Sequence, residues 1–188
     1  SLLNSSFLYE KYSNDYNLTS SVNIIEDLSK TNSDKYEFII PSYTFTKDIE
    51  INNNLFNSLK ISSSGNYRKY NTNVDEGDVI NQLIFTSNNT DKLKNLETDF
   101  NFMLRNINTY GNLSGSYKED ADYKVLGSAL MNFKYPLIKT TSKSKKYLTP
   151  LASFRYSPNK GLNLKNESTT IINFSDLFLI DRINNKTV

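Results

Sequence analysis

The side chains that could do chemistry are few, and two absences narrow them further. The 188 residues include no His and no Cys. A Ser-His-Asp triad, a Cys nucleophile, an imidazole or thiolate metal site and a disulfide framework are therefore all unavailable. Catalysis would have to rest on carboxylates, Lys or Tyr. Asp75, Glu76 and Asp78 flank Gly77 in "NVDEGDVIN", a set that could hold a cation. It lacks the alternating acidic spacing and distal Glu of an EF-hand loop, and it reads as a turn. Glu119 and Asp120 are the paired carboxylates a glycosidase would need, but adjacent strand residues point to opposite faces. They read as loop charges, so no enzyme activity, cofactor or metal is expected.

Composition limits the partners. With 22 basic and 20 acidic residues the formal net charge is +2, which gives no electrostatic argument for nucleic acid. The chain is 37% hydrophobic with a mean hydropathy of -0.55, and no window resembles a membrane-spanning helix. The apolar share is unusual in kind: 13 Tyr and 11 Phe, but no Trp. The chain opens on Ser1 without a signal sequence and ends on Val188 after a polar stretch. It is expected to be an internal fragment, residues 1–188, of one longer β-barrel domain.

The elements that must position these residues follow from period-two patterning. In "KKYLTPLASFRYSPNKG", Leu148, Pro150, Ala152, Phe154 and Tyr156 share one face of a strand, while Thr149, Leu151, Ser153, Arg155 and Ser157 share the other. Leu96, Thr98, Phe100, Phe102 and Leu104 likewise oppose Glu97, Asp99, Asn101, Met103 and Arg105. Ala129, Met131 and Phe133 oppose Leu130, Asn132 and Lys134, and "KYEFIIPSYTFTK" places Ile39, Pro41, Tyr43 and Phe45 together. Polar clusters such as "NTNVDEGD", "TYGNLSGSYKEDAD" and "KTTSKSKK" punctuate the runs. The pattern predicts an all-β, antiparallel meander of about eight long strands, roughly 10 residues each, forming part of a transmembrane outer-membrane β-barrel.

On that reading Phe100, Phe102, Met131, Phe133, Ala152 and Phe154 face lipid, while Asn132, Lys134, Ser153 and Arg155 line the lumen. Solvated interior positions without specific contacts explain these four. Pro41, Pro136 and Pro150 lack the amide of a central ladder and are structural, near strand ends or bulges, with Pro136 and Pro150 flanking a turn from Ile138 to Tyr147. Residues 158–188 form a long loop, too apolar to be fully solvated, expected to fold over the barrel mouth or into the lumen on the extracellular side. A soluble carbohydrate-binding β-sandwich with a Tyr-rich stacking face, and an unrelated porin or receptor barrel, remain as alternatives.

The ordered set Ile39–Lys47, Tyr135-Pro136-Leu137, Leu148-Thr149-Pro150, Ser175-Asp176-Leu177-Phe178 and Asp181-Arg182-Ile183 resembles the barrel domain of the LptD (OstA) family of lipopolysaccharide-assembly proteins. Thr149 stands where many members carry Glu. The resemblance implies a non-enzymatic translocon in the outer membrane of a Gram-negative bacterium that inserts lipopolysaccharide into the outer leaflet. It also implies a plug lipoprotein of the LptE type and a periplasmic Lpt bridge as partners, with the lateral-gate strands outside this chain.

Overall fold

The computed structural model describes residues 1–31, 33–51, 56–70, 73–87, 90–93, 96–158 and 180. Eleven strands run in chain order: β1 Leu2–Tyr12, β2 Tyr16–Asp27, β3 Tyr36–Glu50, β4 Phe56–Tyr70, β5 Val74–Ser87, β6 Thr90–Leu93, β7 Leu96–Asn112, β8 Asp122–Lys134, β9 Leu137–Thr140, β10 Lys145–Leu148 and β11 Leu151–Tyr156. One short 3-10 turn, Ser33–Lys35, precedes β3. The main sheet is an antiparallel meander in the order β1-β2-β3-β4-β5-β7-β8-β11, with β6 also paired to β7. Short polar turns make this order natural, because consecutive antiparallel strands need only a few residues between them. Strands β1 and β2, in a region where the sequence pattern marks no strand, extend the meander at its N-terminal edge.

Side chains sort cleanly across the sheet. Leu104, Leu83, Ile61, Lys47 and Tyr16 stand in register on one face of β7, β5, β4, β3 and β2. The neighbouring row on the opposite face is Arg105, Gln82, Ser62, Thr46 and Asn17. At this level one face is thus apolar and the other polar, and a one-residue slip of any ladder would exchange them.

One strand changes its own phase. Ile39 pairs with Arg68 and Ser42 with Asn66, so β3 carries one extra residue across this span, at Ile40–Pro41, whose peptide bond is cis. The same extra residue separates the pairs Asn23↔Ile39 and Ser21↔Ser42. The bulge absorbs the missing proline amide and reverses the alternation. Phe38, not Ile39, therefore shares the apolar face with Tyr43 and Phe45, a correction to the unbroken alternation read from sequence.

A second correction concerns Lys145 to Tyr156, read as one strand. Lys134 pairs with Leu151, and Leu137 pairs with Leu148, so β8–β11 and β9–β10 are one hairpin in continuous register. The ladder breaks at Tyr135-Pro136 opposite Thr149-Pro150, where both arms lack a proline amide; Tyr135 N still donates to Pro150 O at 3.1 Å. The turn expected from Ile138 to Tyr147 shrinks to the Thr141–Ser144 reversal, closed by Thr141 N to Ser144 O at 2.8 Å. The acidic run at Asp75 is likewise strand: the reversal sits before it, at Asn73 with φ 75°, and β5 begins at Val74.

Gly65 shows how tightly the central ladders approach. A Cβ there would lie 2.8 Å from both Asp78 O and Tyr43 Cε1, whereas one on Gly127 meets nothing within 4 Å. We expect Gly65→Ala to cost about 1–3 kcal/mol through overpacking. Gly127→Ala should be neutral or stabilise by up to about 1 kcal/mol, since strand glycine carries an entropic cost. Equilibrium urea unfolding of the two variants checks the contrast, and equal midpoints would refute it.

Candidate functional site

The polar face is a hydrogen-bonded surface built from short side chains. At the end carrying the β4–β5 and β7–β8 turns, Arg68 Nε donates to Glu37 Oε1 at 2.7 Å and Arg68 Nη1 lies 3.4 Å from Glu76 Oε1. Its guanidinium also stacks 4.2 Å from the Tyr70 ring centroid. Asn66 Nδ2 donates to Asp78 Oδ1 at 2.6 Å. Glu76 is only 5% exposed, a burial tolerable for a carboxylate because Arg68, Tyr70 and Ser114 all point at it.

At the opposite end, the four residues expected to line the lumen stand on this same face. Ser153 Oγ donates to Asn132 Oδ1 at 2.6 Å, and Asn132 Nδ2 donates to Asp99 Oδ1 at 2.8 Å. Lys134 Nζ lies 3.7 Å from Asp99 Oδ2. Arg155 pairs in register with Leu130, one step along the same row. Asp99 and Asn101 complete this group, and the sequence alternation had placed both opposite the Phe residues without assigning them a role. Between the two ends Arg105 Nε donates to Gln82 Oε1 at 2.9 Å.

A buried apolar patch interrupts the polar face: Met103, Ile107, Leu126 and Leu130 are 2–8% exposed. Ser128 lies among them, and its Oγ donates to the Ile180 carbonyl at 3.4 Å. Ile180 belongs to the expected long loop; the remainder of that loop from residue 159, including Ser175–Phe178 and Asp181–Ile183, lies outside the described residues. Asp75 faces the other way from Glu76 and Asp78, bonded by Tyr67 OH at 2.9 Å. The three carboxylates therefore do not converge, and no metal-competent cluster of His, Cys, Asp or Glu occurs among the described residues.

The apolar face carries Phe100, Phe102, Met131, Phe133, Ala152 and Phe154 together. Met131 pairs with both Phe100 and Phe154, and Phe133 with Ala152. Phe85 and Phe102 touch across β5 and β7, with centroids 6.4 Å apart. Phe85, Phe100 and Phe102 occupy the interior of this face, while Tyr36, Tyr67, Tyr110 and Tyr123 stand toward the β4–β5 turn end and Tyr9 and Tyr16 toward the other; Tyr43 is an interior exception. One polar row crosses it. Ser63 Oγ, within 3.3 Å of Tyr43 Oη, donates to Asn81 Oδ1 at 2.8 Å, and Asn81 Nδ2 donates to Asn106 Oδ1 at 3.2 Å. Each polar group in the row finds its partner on the adjacent strand.

The apolar band runs obliquely to the ladders. Phe154 is level with Phe100, four residues to one side of the in-register row through Leu104 and Tyr16, while Phe7 is level with Val22, six residues to the other side. That displacement of ten residues spans the seven steps from β11 to β1, or about 1.4 residues per strand. With ~3.3 Å per residue and ~4.8 Å between strands, a level band of this kind corresponds to strands tilted by about 45°.

No family model, curated protein or solved structure matches this chain.

Burial pushes the Tyr117 phenol up to about 12, with the Asp78 and Glu76 carboxylates adding to the shift. The neutral phenol is the form the fold favours. Its contribution to stability is complete below the unfolded value near 10 and is lost as pH rises through about 12. The Tyr117 ring-carbon NMR shift should titrate near the top of that window, and Tyr117→Phe should blunt the alkaline loss of stability. A midpoint at the ordinary tyrosine value would contradict the burial.

Proposed function

We propose that this chain forms wall of an outer-membrane β-barrel of the LptD type, with the apolar band against lipid and the polar face toward the lumen. The oblique band carries the reading. Outer-membrane strands tilt by roughly 35–45°, and a horizontal slab of lipid must then cross their register by more than one residue per strand. Tyr residues toward both borders suit the same slab, because an amphipathic phenol prefers the headgroup level. A sandwich core would need a second sheet over these rings, and among the described residues the strands form one main sheet plus the hairpin extension β9–β10.

The narrower assignment rests on the motif order. Tyr135-Pro136-Leu137 and Leu148-Thr149-Pro150, read as family elements, face each other across one hairpin and break its ladder together. Two proline elements that must coincide in space give the spacing between them a structural reason. The function that follows is non-enzymatic: the wall of a translocon that inserts lipopolysaccharide into the outer leaflet, with a plug lipoprotein and a periplasmic bridge as partners. Asn132, Lys134, Ser153 and Arg155 would accompany the sugar and phosphate groups through the lumen.

Membrane insertion is tested in the complete barrel, to which these 188 residues contribute no background Trp. A single Trp replacing Phe102 should emit in the blue and be quenched by brominated lipid, whereas one replacing Gln82 should not. Met131→Arg should cost about 2–4 kcal/mol of folding stability in vesicles if that position lies near the midplane. Equal quenching at both Trp positions would remove the lipid assignment.

The cargo is tested separately. A photo-crosslinking residue at Ser153 in the full chain, in cells, should give a lipopolysaccharide adduct. Crosslinks to small solutes or none, in a barrel that still inserts, would favour a porin instead.

A further inference from the structure

We propose that the β7–β8 connection, Leu113 to Lys118, is a latched cap on the polar face that narrows the lumen, and that Ser114 and Tyr117 are its anchors. The inference rests on the barrel reading above and adds a moving part to it.

The chain leaves β7 through a backbone that side chains rarely adopt. Leu113 has φ 55°, an unusual conformation for a γ-branched residue, and its side chain is left 59% exposed. The turn directs the next residues inward instead of away from the sheet. Ser114 is 1% exposed and its Oγ donates to Glu76 Oε2 at 2.7 Å. The same oxygen accepts from Ser116 N at 3.0 Å and Tyr117 N at 3.2 Å, so one hydroxyl ties the connection to itself and to β5. Tyr117 is 8% exposed, beside Asp78.

Gly111 shows which face is covered. It pairs in register with Glu76 on the polar side, and a Cβ there would lie 2.9 Å from Tyr117 Cβ and 3.2 Å from Ser114 Cβ. The connection thus rests directly on the polar face of β7, in a space that only glycine leaves open. Beneath it Glu76 is shared with Arg68, itself bonded to Glu37. The cap is consequently held by a network reaching three strands away, which it meets through the Ser114 hydroxyl and the Tyr117 ring.

A turn outside the strand ladders, leaving β7 under backbone strain at Leu113, is suited to local release without unfolding of the sheet. Release would lift Tyr117 off Asp78 and expose Glu76, Asp78 and Arg68 to the lumen, widening it and raising its polarity at that end.

The full-length protein that carries this barrel wall, in planar lipid bilayers, provides the test, with Ser114→Ala and Gly111→Val as the variants. Ser114→Ala removes the donor with minimal change of volume, and Gly111→Val displaces the cap sterically while leaving every anchor group in place. Both should raise single-channel conductance about 1.5- to 2-fold and should speed tryptic cleavage after Lys118 several-fold. Heat-modifiable mobility on gels verifies that each variant is folded. Folded variants with unchanged conductance and unchanged cleavage overturn the cap alone. A wild-type full-length protein that neither inserts nor conducts overturns the barrel reading, and the cap falls with it.

Discussion

The structure depends on the antiparallel register from β1 through β11. Among the described residues no second sheet covers the main one, so the assignment of each side chain to a face comes from the ladder. Every pair from Tyr16↔Lys47 to Leu83↔Leu104 keeps apolar with apolar or with the long stem of a lysine. Slippage by one residue on any strand would place Ser, Asn and Glu among the Phe rings. Turn chemistry and cross-strand contacts such as Phe85 with Phe102 and Tyr16 with Phe45 hold that register.

The two faces solve different problems with the same backbone. On the polar face, acids and bases pair in short networks, Glu37-Arg68-Glu76 at one end and Asp99-Lys134-Asn132-Ser153 at the other. Individually such ion pairs contribute about 0–1 kcal/mol where water reaches them. Their larger effect is to fix side chains whose free ends would otherwise fill the space above the sheet. On the apolar face the row Tyr43-Ser63-Asn81-Asn106 passes its hydrogen bonds strand to strand. A polar row that satisfies itself is the form compatible with an apolar surrounding.

Irregularities sit where the meander needs them. The bulge at Ile40–Pro41 changes the phase of β3, the facing prolines at Pro136 and Pro150 detach the outer hairpin, and Leu113 bends the β7–β8 connection onto the sheet. Each is a local departure from ideal pairing with a named compensation: an extra residue, a retained Tyr135–Pro150 hydrogen bond, and the Ser114–Glu76 contact. The regular ladders between them carry the shape.

Period-two alternation from Leu96 to Arg105 and from Ala129 to Lys134 was enough to determine the all-β class and the partition of Phe100, Met131 and Asn132 between faces, because a strand's side chains must alternate. Absence of His and Cys likewise excluded whole classes of chemistry from the sequence alone. The phase change at Ile40–Pro41 was not legible, since a bulge depends on what the neighbouring strands pair with. Nor was the break at Pro136 readable as a hairpin neck until Pro150 stood opposite it. Glu76 looked like one acid among three in a turn, and only the fold brought Arg68, Tyr70 and Ser114 around it. The oblique course of the apolar band belongs to the same category: it is a relation among eight strands, and tilt exists only once their ladders are assembled.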